Sequence, residues 1–461
     1  MLSSINILPA RATRRFAGAA GLFAALAFAA APVHAQDKAT LDLLVKKNVI
    51  TQAEADDIAK NAAVVVNPKE AAVKKLQLEG MLQVQYDWLT TKDKGPVAIQ
   101  PGATNQFSIR RAYFGAIADL GNGWGGEILM DFAAGAQAPA APQAGENGVG
   151  NQQNFEKAII TKKIDDWGTA TAGFQKVQWD QEENTPSSQL KTIERSVATN
   201  YFDNPYGGNT TGRLGFGNRH VGLYWSGLVP QVDGLYYGVA ITNGIQSVTN
   251  YGNAGAGVTN YNQFAFWGNV GYGSKFAGLT YKVGVNVGYA GDANSEPGAA
   301  GVPAQNNSIW GYNPYVTLAY SDFTLAAEFL QARVQNGRLS GAGAGTAYSN
   351  ASPYGINLTP SYKINDQWEI AAKYSYLETN GRGTTINPVA RNANNVFGTE
   401  NFNRAWEGYL GVNYYIIGTD VKLSAGYEYD QFYQRQTVAG GAFAGPRANV
   451  QGVRTQLQVL F

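Results

Sequence analysis

The chain of 461 residues contains no cysteine, which excludes disulfides, thiolate metal sites, c-type haem attachment and cysteine nucleophiles. Charged residues make up 15% of it, against about 25% in an ordinary soluble protein. The formal net charge of +1 offers no basic footprint for nucleic acid. Outside the N-terminal region, no segment approaches the 18 consecutive apolar residues, roughly, that indicate a transmembrane helix.

The N-terminal region is organised like a secretory signal. The apolar run FAGAAGLFAALAFAAA is followed by PVHAQ, with Val33 and Ala35 at the positions that a signal peptidase reads. The alternative is a membrane anchor, but the run is shorter than the ~20 residues that a spanning helix needs. We therefore expect a signal peptide over 1–35 and cleavage after Ala35. Cleavage would remove three arginines and bring the formal charge from +1 to −2; these are Arg11, Arg14 and Arg15.

Residues 36–75 have helical rather than strand periodicity. The stretch KATLDLLVKKNVITQAEADDIAKNAA spaces its apolar residues by three and four, and Thr51 and Glu54 form a capping box for a second short helix. This pattern predicts a short periplasmic helical segment. It is either a partly ordered linker or an element that associates between subunits.

From Leu76 onward the sequence alternates with period two and is rich in glycine and aromatic residues, with 55 Gly, 26 Tyr, 20 Phe and 9 Trp. In LQLEGMLQVQYDW, one face runs from aliphatic Leu76 to aromatic Trp88 and the other face is polar. Strands of a transmembrane barrel need this arrangement, with aliphatic side chains in the hydrocarbon and aromatic ones at the interface. A soluble β-sandwich is the alternative, but it has no reason to place aromatic residues at strand ends.

Sixteen such segments are joined by connections that alternate between short turns and long loops, which is typical of an up-and-down outer-membrane barrel. The sequence thus predicts an all-β fold, a 16-stranded antiparallel transmembrane β-barrel over 76–461. The strands are expected to begin near Leu76, Phe107, Trp124, Phe155, Thr169, Arg219, Leu235, Phe264, Phe276, Ser308, Phe323, Pro353, Trp368, Arg404, Val421 and Val450.

The last segment, VRTQLQVLF, is an amphipathic strand that reaches Phe461. We expect this strand to close the barrel against the first one, because an open edge in lipid would leave backbone groups unsatisfied. Phe461 also resembles the C-terminal Phe that the outer-membrane assembly machinery recognises.

The longest connection follows the fifth strand and carries clustered charge. We expect it to fold into the lumen as a pore constriction; the alternative is an external loop that touches lipopolysaccharide or a neighbouring subunit. The constriction candidates are Lys176, Asp180, Glu182, Glu183, Lys191, Glu194, Arg195 and Arg213.

Strand parity also predicts which charged side chains face the lumen. The expected acidic wall residues are Glu79, Asp87, Glu127, Asp131, Glu328, Glu369, Glu407, Glu428 and Asp430. The expected basic wall residues are Lys282, Lys373, Lys422, Arg454 and one of Arg110 and Arg111.

Several stretches resemble the phosphate-selective porin O and P family: FSIRRAYFGAIADLGNGWGGEILMDF, TAGFQKVQ followed by ERSVATNYF, NRHVGLYWSG, and LVKKNVITQAEADDI in the helical prelude. The resemblance covers most of the chain after the signal. It implies a 16-stranded barrel in the Gram-negative outer membrane, associated as a homotrimer. The family's phosphate-specific members line their pores densely with Arg and Lys, and this sequence departs from that density.

We therefore expect a passive diffusion channel for small hydrophilic solutes and ions, without a cofactor or metal and in contact with outer-membrane lipid and lipopolysaccharide. The alternative is an anion- or phosphate-selective channel, which needs convergent basic residues. A barrel enzyme is a third possibility, but His220 is the only imidazole left after the signal and no G-x-S-x-G motif accompanies it.

Overall fold

The structure is a computed structural model, and its fold is a closed antiparallel barrel. It describes residues 73–93, 103–133, 155–203, 214–244, 264–296, 305–335, 349–391, 400–436 and 442–461, with Lys46 and Gly337. The expected signal peptide, nearly all of the expected helical segment and Arg213 lie outside these residues. No helix in the ranges just given has the length and apolarity needed to cross a membrane.

Nearly every strand pairs with its neighbours in sequence, as the alternating turns and loops predict. The first seven strands are β1 (Lys75–Asp93), β2 (Ala103–Gly121), β3 (Trp124–Asp131), β4 (Phe155–Ile164), β5 (Gly168–Lys176), β6 (Arg219–Leu228) and β7 (Leu235–Asn243). The next six are β8 (Phe264–Phe276), β9 (Leu279–Glu296), β10 (Gln305–Tyr320), β11 (Phe323–Val334), β12 (Tyr354–Lys363) and β13 (Trp368–Glu378). The remainder are β14 (Phe402–Ile417), β15 (Val421–Gln436), β16 (Phe443–Gly445) and β17 (Ala448–Leu460).

The short β16 and the longer β17 both pair with β15, so together they form one wall position and the barrel has sixteen. β1 pairs with β2 on one side and with β17 on the other, from Met81 opposite Leu460 to Asp93 opposite Ala448. The closed 16-stranded barrel predicted from the sequence is confirmed. Closure leaves no strand edge to be satisfied in lipid.

The barrel is polar inside and apolar outside. On β1, Gln83, Gln85 and Asp87 are fully buried, whereas Leu78 and Trp88 are about half exposed on the outer face. A soluble β-protein has the reverse arrangement. This polarity suits a wall with lipid on one side and a polar interior on the other.

Four short helical elements lie in those parts of the long connections that the structure describes. They are α1 (Gln181–Asn184), a 3₁₀ turn (Ser187–Gln189) and α2 (Val197–Asp203) between β5 and β6, and α3 (Ile386–Val389) between β13 and β14.

Candidate functional site

The connection between β5 and β6 turns into the barrel. We call residues 177–203 of this connection the inner segment. Its Trp179 is fully buried, and α1 starts two residues later because the Asp180 carboxylate accepts a hydrogen bond from the Glu183 backbone N–H at 3.0 Å. That is the usual way in which an Asp caps a helix N-terminus. All seven residues of α2 are buried.

Glycines on the inner face of the wall make room for the inner segment. A Cβ at Gly311 of β10 would lie 2.6 Å from the Trp179 ring, and one at Gly355 of β12 would lie 2.6 Å from Ala198. On β7, a Cβ at Gly238 would lie 1.9 Å from the Gln178 amide. Part of the glycine content of the chain is therefore explained by packing against this segment.

Ion pairs fix the inner segment to separate parts of the wall. Glu194 lies 2.6 Å from Arg110 of β2, and Lys191 lies 2.8 Å from Glu369 of β13. At the start of the segment, Glu183 pairs with Lys176 of β5 at 2.7 Å. Within the segment, Glu183 also pairs with Arg195 at 2.8 Å. The segment is thus tied to β2, β5 and β13.

Wall side chains also bind the backbone of the inner segment. Glu328 of β11 accepts hydrogen bonds from the N–H groups of Gln181 and Glu182 at 2.8 and 3.2 Å. Glu407 of β14 accepts from the N–H of Val197 at 2.8 Å. Lys373 and Lys422 donate to the carbonyl oxygens of Glu194 and Leu190, each at 2.8 Å. These four wall charges therefore support the segment.

The carboxyl groups of the inner segment lie in two different environments. Burial alone would raise the pKa of Glu194, but the guanidinium groups of Arg110 and Arg391 hold that pKa below its ordinary value. Burial raises the pKa of Asp203 well above its ordinary value, and the adjacent Asp180 carboxylate raises it further. Burial and the neighbouring Asp180 therefore both favour the protonated form of Asp203.

Other predicted wall residues pair with one another. Arg454 of β17 lies 2.9 Å from both Asp87 of β1 and Glu428 of β15, and all three are buried. Glu127 of β3 pairs with Lys157 of β4 at 2.7 Å and is only half-buried. Three more half-buried wall residues are Glu79, Asp131 and Lys282. Asp430 is buried.

Two details of the charged interior differ from the sequence expectation. Both Arg110 and Arg111 are buried, because the β1–β2 register shifts between Gln83 and Val84 and the extra residue turns both side chains inward. Arg391, which is not among the expected lumen residues, lies 3.7 Å from Glu194 and donates to the Asn200 side chain at 3.2 Å.

A short apolar turn explains the position of Arg391. Ile386, Val389 and Ala390 are almost fully buried, and α3 packs against α2. The stretch INPVA in an otherwise polar loop is the sequence signal that predicts this contact. Arg382, in the same connection, is also buried.

His220 has surroundings that favour a structural role. It is buried, its Nδ1 lies 3.2 Å from the carbonyl oxygen of Asn243, and its ring packs 5.2 Å from that of Trp267. Within the part of the chain that the structure describes, no group of three or more His, Asp and Glu side chains is arranged to hold a metal ion.

Three solved structures with similar folds are distant in sequence. An anion-selective porin from Comamonas acidovorans is 12% identical, with a TM-score of 0.52 over 84% of this chain and 99% of that one. OprB of Pseudomonas putida is 13% identical, with a TM-score of 0.52 over 84% and 94%. OmpF of Salmonella typhi is 13% identical, with a TM-score of 0.51 over 85% and 98%. At these identities the similarity establishes the fold.

The family is established by the sequence. No curated protein matches the chain. The model of the family "Phosphate-selective porin O and P" matches residues 81–461, which is nearly the whole barrel. The chain therefore belongs to the phosphate-selective porin O and P family and is a porin of the Gram-negative outer membrane.

Proposed function

We propose that this porin is a passive channel for small hydrophilic solutes and ions, and that the inner segment forms its constriction. The observation that supports the proposal is that Glu183, Lys191 and Glu194 form ion pairs with three separate strands of the wall. A segment tied at β5, β13 and β2 crosses the lumen and reduces its free cross-section. A polar passage beside it removes the cost of stripping water from a solute that crosses ~30 Å of hydrocarbon.

The constriction carries mixed charge, which favours weak selectivity. Glu194 and Glu183 are paired with arginine or lysine and are buried, so they present little net charge to a passing ion. Glu182 is less buried, and its carboxylate accepts a hydrogen bond from the Ser196 N–H at 2.9 Å without an ion pair among the described residues. Glu182 is therefore the acidic residue with most influence on permeating ions.

The proposal is tested by the reversal potential of single channels in a planar bilayer under a KCl gradient. Glu182→Gln should shift the reversal potential toward anions, because a charge on a narrow constriction is screened less than one on a wide wall. Asp233→Asn, an exposed carboxylate in the β6–β7 turn, is the matched control and should change nothing. Equal shifts in both variants, or none in either, would contradict the constriction.

Anion selectivity is the second candidate, and the position of Arg391 favours it. Glu194 already forms an ion pair with Arg110, and Arg391 places a second guanidinium beside it. Positive charge therefore exceeds negative charge at this point. The similar anion-selective porin from Comamonas acidovorans adds support from the fold. Strong anion preference in the wild type, with phosphate blocking chloride current, would establish this candidate and reject weak selectivity.

We propose three further properties from the sequence: export through a signal peptide cleaved after Ala35, assembly as a homotrimer, and recognition of Phe461 by the outer-membrane assembly machinery. N-terminal sequencing of the outer-membrane fraction should find Gln36 first. Native mass spectrometry should give three chains per particle. An intact Met1 or a single-chain particle would contradict the first or second property.

A further inference from the structure

A polar cavity of about 480 Å³ lies on the outer side of the barrel, beside the long connection between β13 and β14. Its volume is within the range of ordinary small-molecule sites. Its lining residues are Tyr354, Glu378, Asn380, Gly381, Asn403, Arg404 and Phe443.

Strand register places this cavity on the membrane-facing surface. Tyr354 lies opposite Glu378, and Glu378 lies opposite Arg404, so the three side chains share one face of β12, β13 and β14. By alternation, Tyr374 of β13 and Leu410 of β14 are on the same face, and both are well exposed. The cavity therefore opens at the extracellular end of the surface that meets lipid.

A row of aromatic rings follows the wall at this level. The ring centroids of consecutive members lie 5.9 to 6.3 Å apart across β10 to β13. Aromatic side chains in such a row mark the boundary between hydrocarbon and headgroups. The members are Trp310, Tyr312, Phe329, Tyr354 and Tyr376. Since Tyr354 belongs to both the row and the cavity, the cavity lies at headgroup level.

The polar groups of the cavity are held in place before any ligand arrives. The Glu378 carboxylate accepts hydrogen bonds from the Asn403 amide at 2.7 Å and from the Asn380 N–H at 3.1 Å, and it pairs with Nε of Arg404. The side-chain amide oxygen of Asn403 in turn accepts a hydrogen bond from the Gly381 N–H at 2.5 Å.

The guanidinium of Arg404 is held by Glu378 through Nε and is still accessible to a ligand. Its side chain is 45% exposed. The structure gives its terminal nitrogens no partner among the described residues. A guanidinium fixed through Nε presents its two terminal nitrogens as a fork, which is the geometry that recognises phosphate.

We propose that this cavity binds the sugar-phosphate headgroup of an outer-leaflet glycolipid, with the phosphate on Arg404 and a sugar ring against Tyr354. The Glu378 carboxylate favours a sugar phosphate over a free phosphate as the ligand. A bare phosphate at Arg404 would meet the adjacent carboxylate, whereas sugar hydroxyls can donate hydrogen bonds to it. The acyl chains of the lipid would continue down the apolar outer face below the aromatic row.

The test measures binding of lipid A to the purified porin in detergent, by native mass spectrometry. The wild type should retain lipid A and should bind its dephosphorylated form roughly tenfold more weakly, the loss expected for one charge-assisted hydrogen bond. Arg404→Gln should lower lipid A affinity by a similar factor and should no longer distinguish the two forms. Lys162→Gln is the matched control, since Lys162 lies beside Trp124 at the opposite end of the barrel.

Three results would overturn the proposal. One is a wild type that binds both forms of lipid A equally, a comparison that does not depend on any variant folding. Another is displacement of lipid A by inorganic phosphate at the same concentration, which would indicate a free-anion site. The third is equal loss of affinity in Arg404→Gln and Lys162→Gln. None of these results bears on the constriction, so the two proposals fail separately.

Discussion

Individual side chains decide how the barrel closes and how its interior is filled. The Phe461 ring lies over Gly80, where an added Cβ would be 2.3 Å from the ring. The backbone groups of the same two residues exchange hydrogen bonds at 2.7 and 3.0 Å. The last strand is therefore fixed to the first by its final residue.

Deletion of Phe461 should reduce the amount of heat-resistant barrel in the outer membrane. The deletion removes both hydrogen bonds to Gly80 and an interfacial aromatic anchor. Phe461→Trp keeps an aromatic ring and should assemble at near wild-type levels. The measurement is the folded band in unheated gels of outer-membrane fractions, and undiminished folding of the deletion would contradict this role.

Gly311→Ala should destabilise the barrel by about 1–3 kcal/mol, the range for overpacking a filled interior. The added Cβ would lie 2.6 Å from both the Trp179 ring and the Gln331 carbonyl oxygen, and a backbone atom cannot easily give way. Gly273→Ala is the matched control, because its nearest contact would be 3.6 Å away. Urea unfolding in lipid vesicles measures both, and equal stabilities would show that the glycine is not needed for packing.

At the scale of elements, the protonation of Asp203 links the stability of the inner segment to pH. The pKa of Asp203 in the folded protein is raised, first by burial and then by Asp180. A carboxyl group of this kind contributes stability that is present at low pH and is lost as the pH rises through the raised pKa. Alkaline conditions should therefore loosen the contact between α1 and α2.

Asp203→Asn should weaken this pH dependence, because an amide of nearly the same shape cannot ionise. The unfolding temperature in detergent, measured at mildly acidic and alkaline pH, should fall less in the variant than in the wild type. Asp233→Asn, in an exposed turn, should retain the wild-type dependence. Identical pH profiles for all three proteins would contradict a raised pKa of Asp203.

The elements also show what the sequence can and cannot predict. Most strand starts are correct to within three residues, because period-two alternation together with turn residues leaves little freedom of register. The burial of both Arg110 and Arg111 and the position of Arg391 could not be predicted, since a β-bulge and a loop that folds back leave no periodic signal. The contacts of Glu194 with Arg110 and Arg391 join distant parts of the chain, and no spacing rule predicts them.

For the whole molecule, the wall of the barrel is predictable from the sequence, and one charged connection enters its interior. The family and the fold establish a porin. The charges that would otherwise line a wide pore hold the inner segment instead, as Glu328, Lys373 and Lys422 do. The proposed constriction of mixed charge rests on this arrangement.

Because the chain has no cysteine, a thiol reagent reacts only with a cysteine that is introduced. Labelling of single introduced cysteines is the most direct test of the constriction. Lys191 is the most accessible charged side chain of the inner segment for which the structure gives an ion pair, at 33% exposure, and Arg447 is exposed in the last long connection. A charged thiol reagent is added to single channels of Lys191→Cys and Arg447→Cys, with labelling of each confirmed by mass spectrometry. Our account predicts a stepwise fall in current for Lys191→Cys and an unchanged current for Arg447→Cys. A labelled Lys191→Cys channel that conducts at its original level would place the inner segment outside the ion path and contradict the central claim.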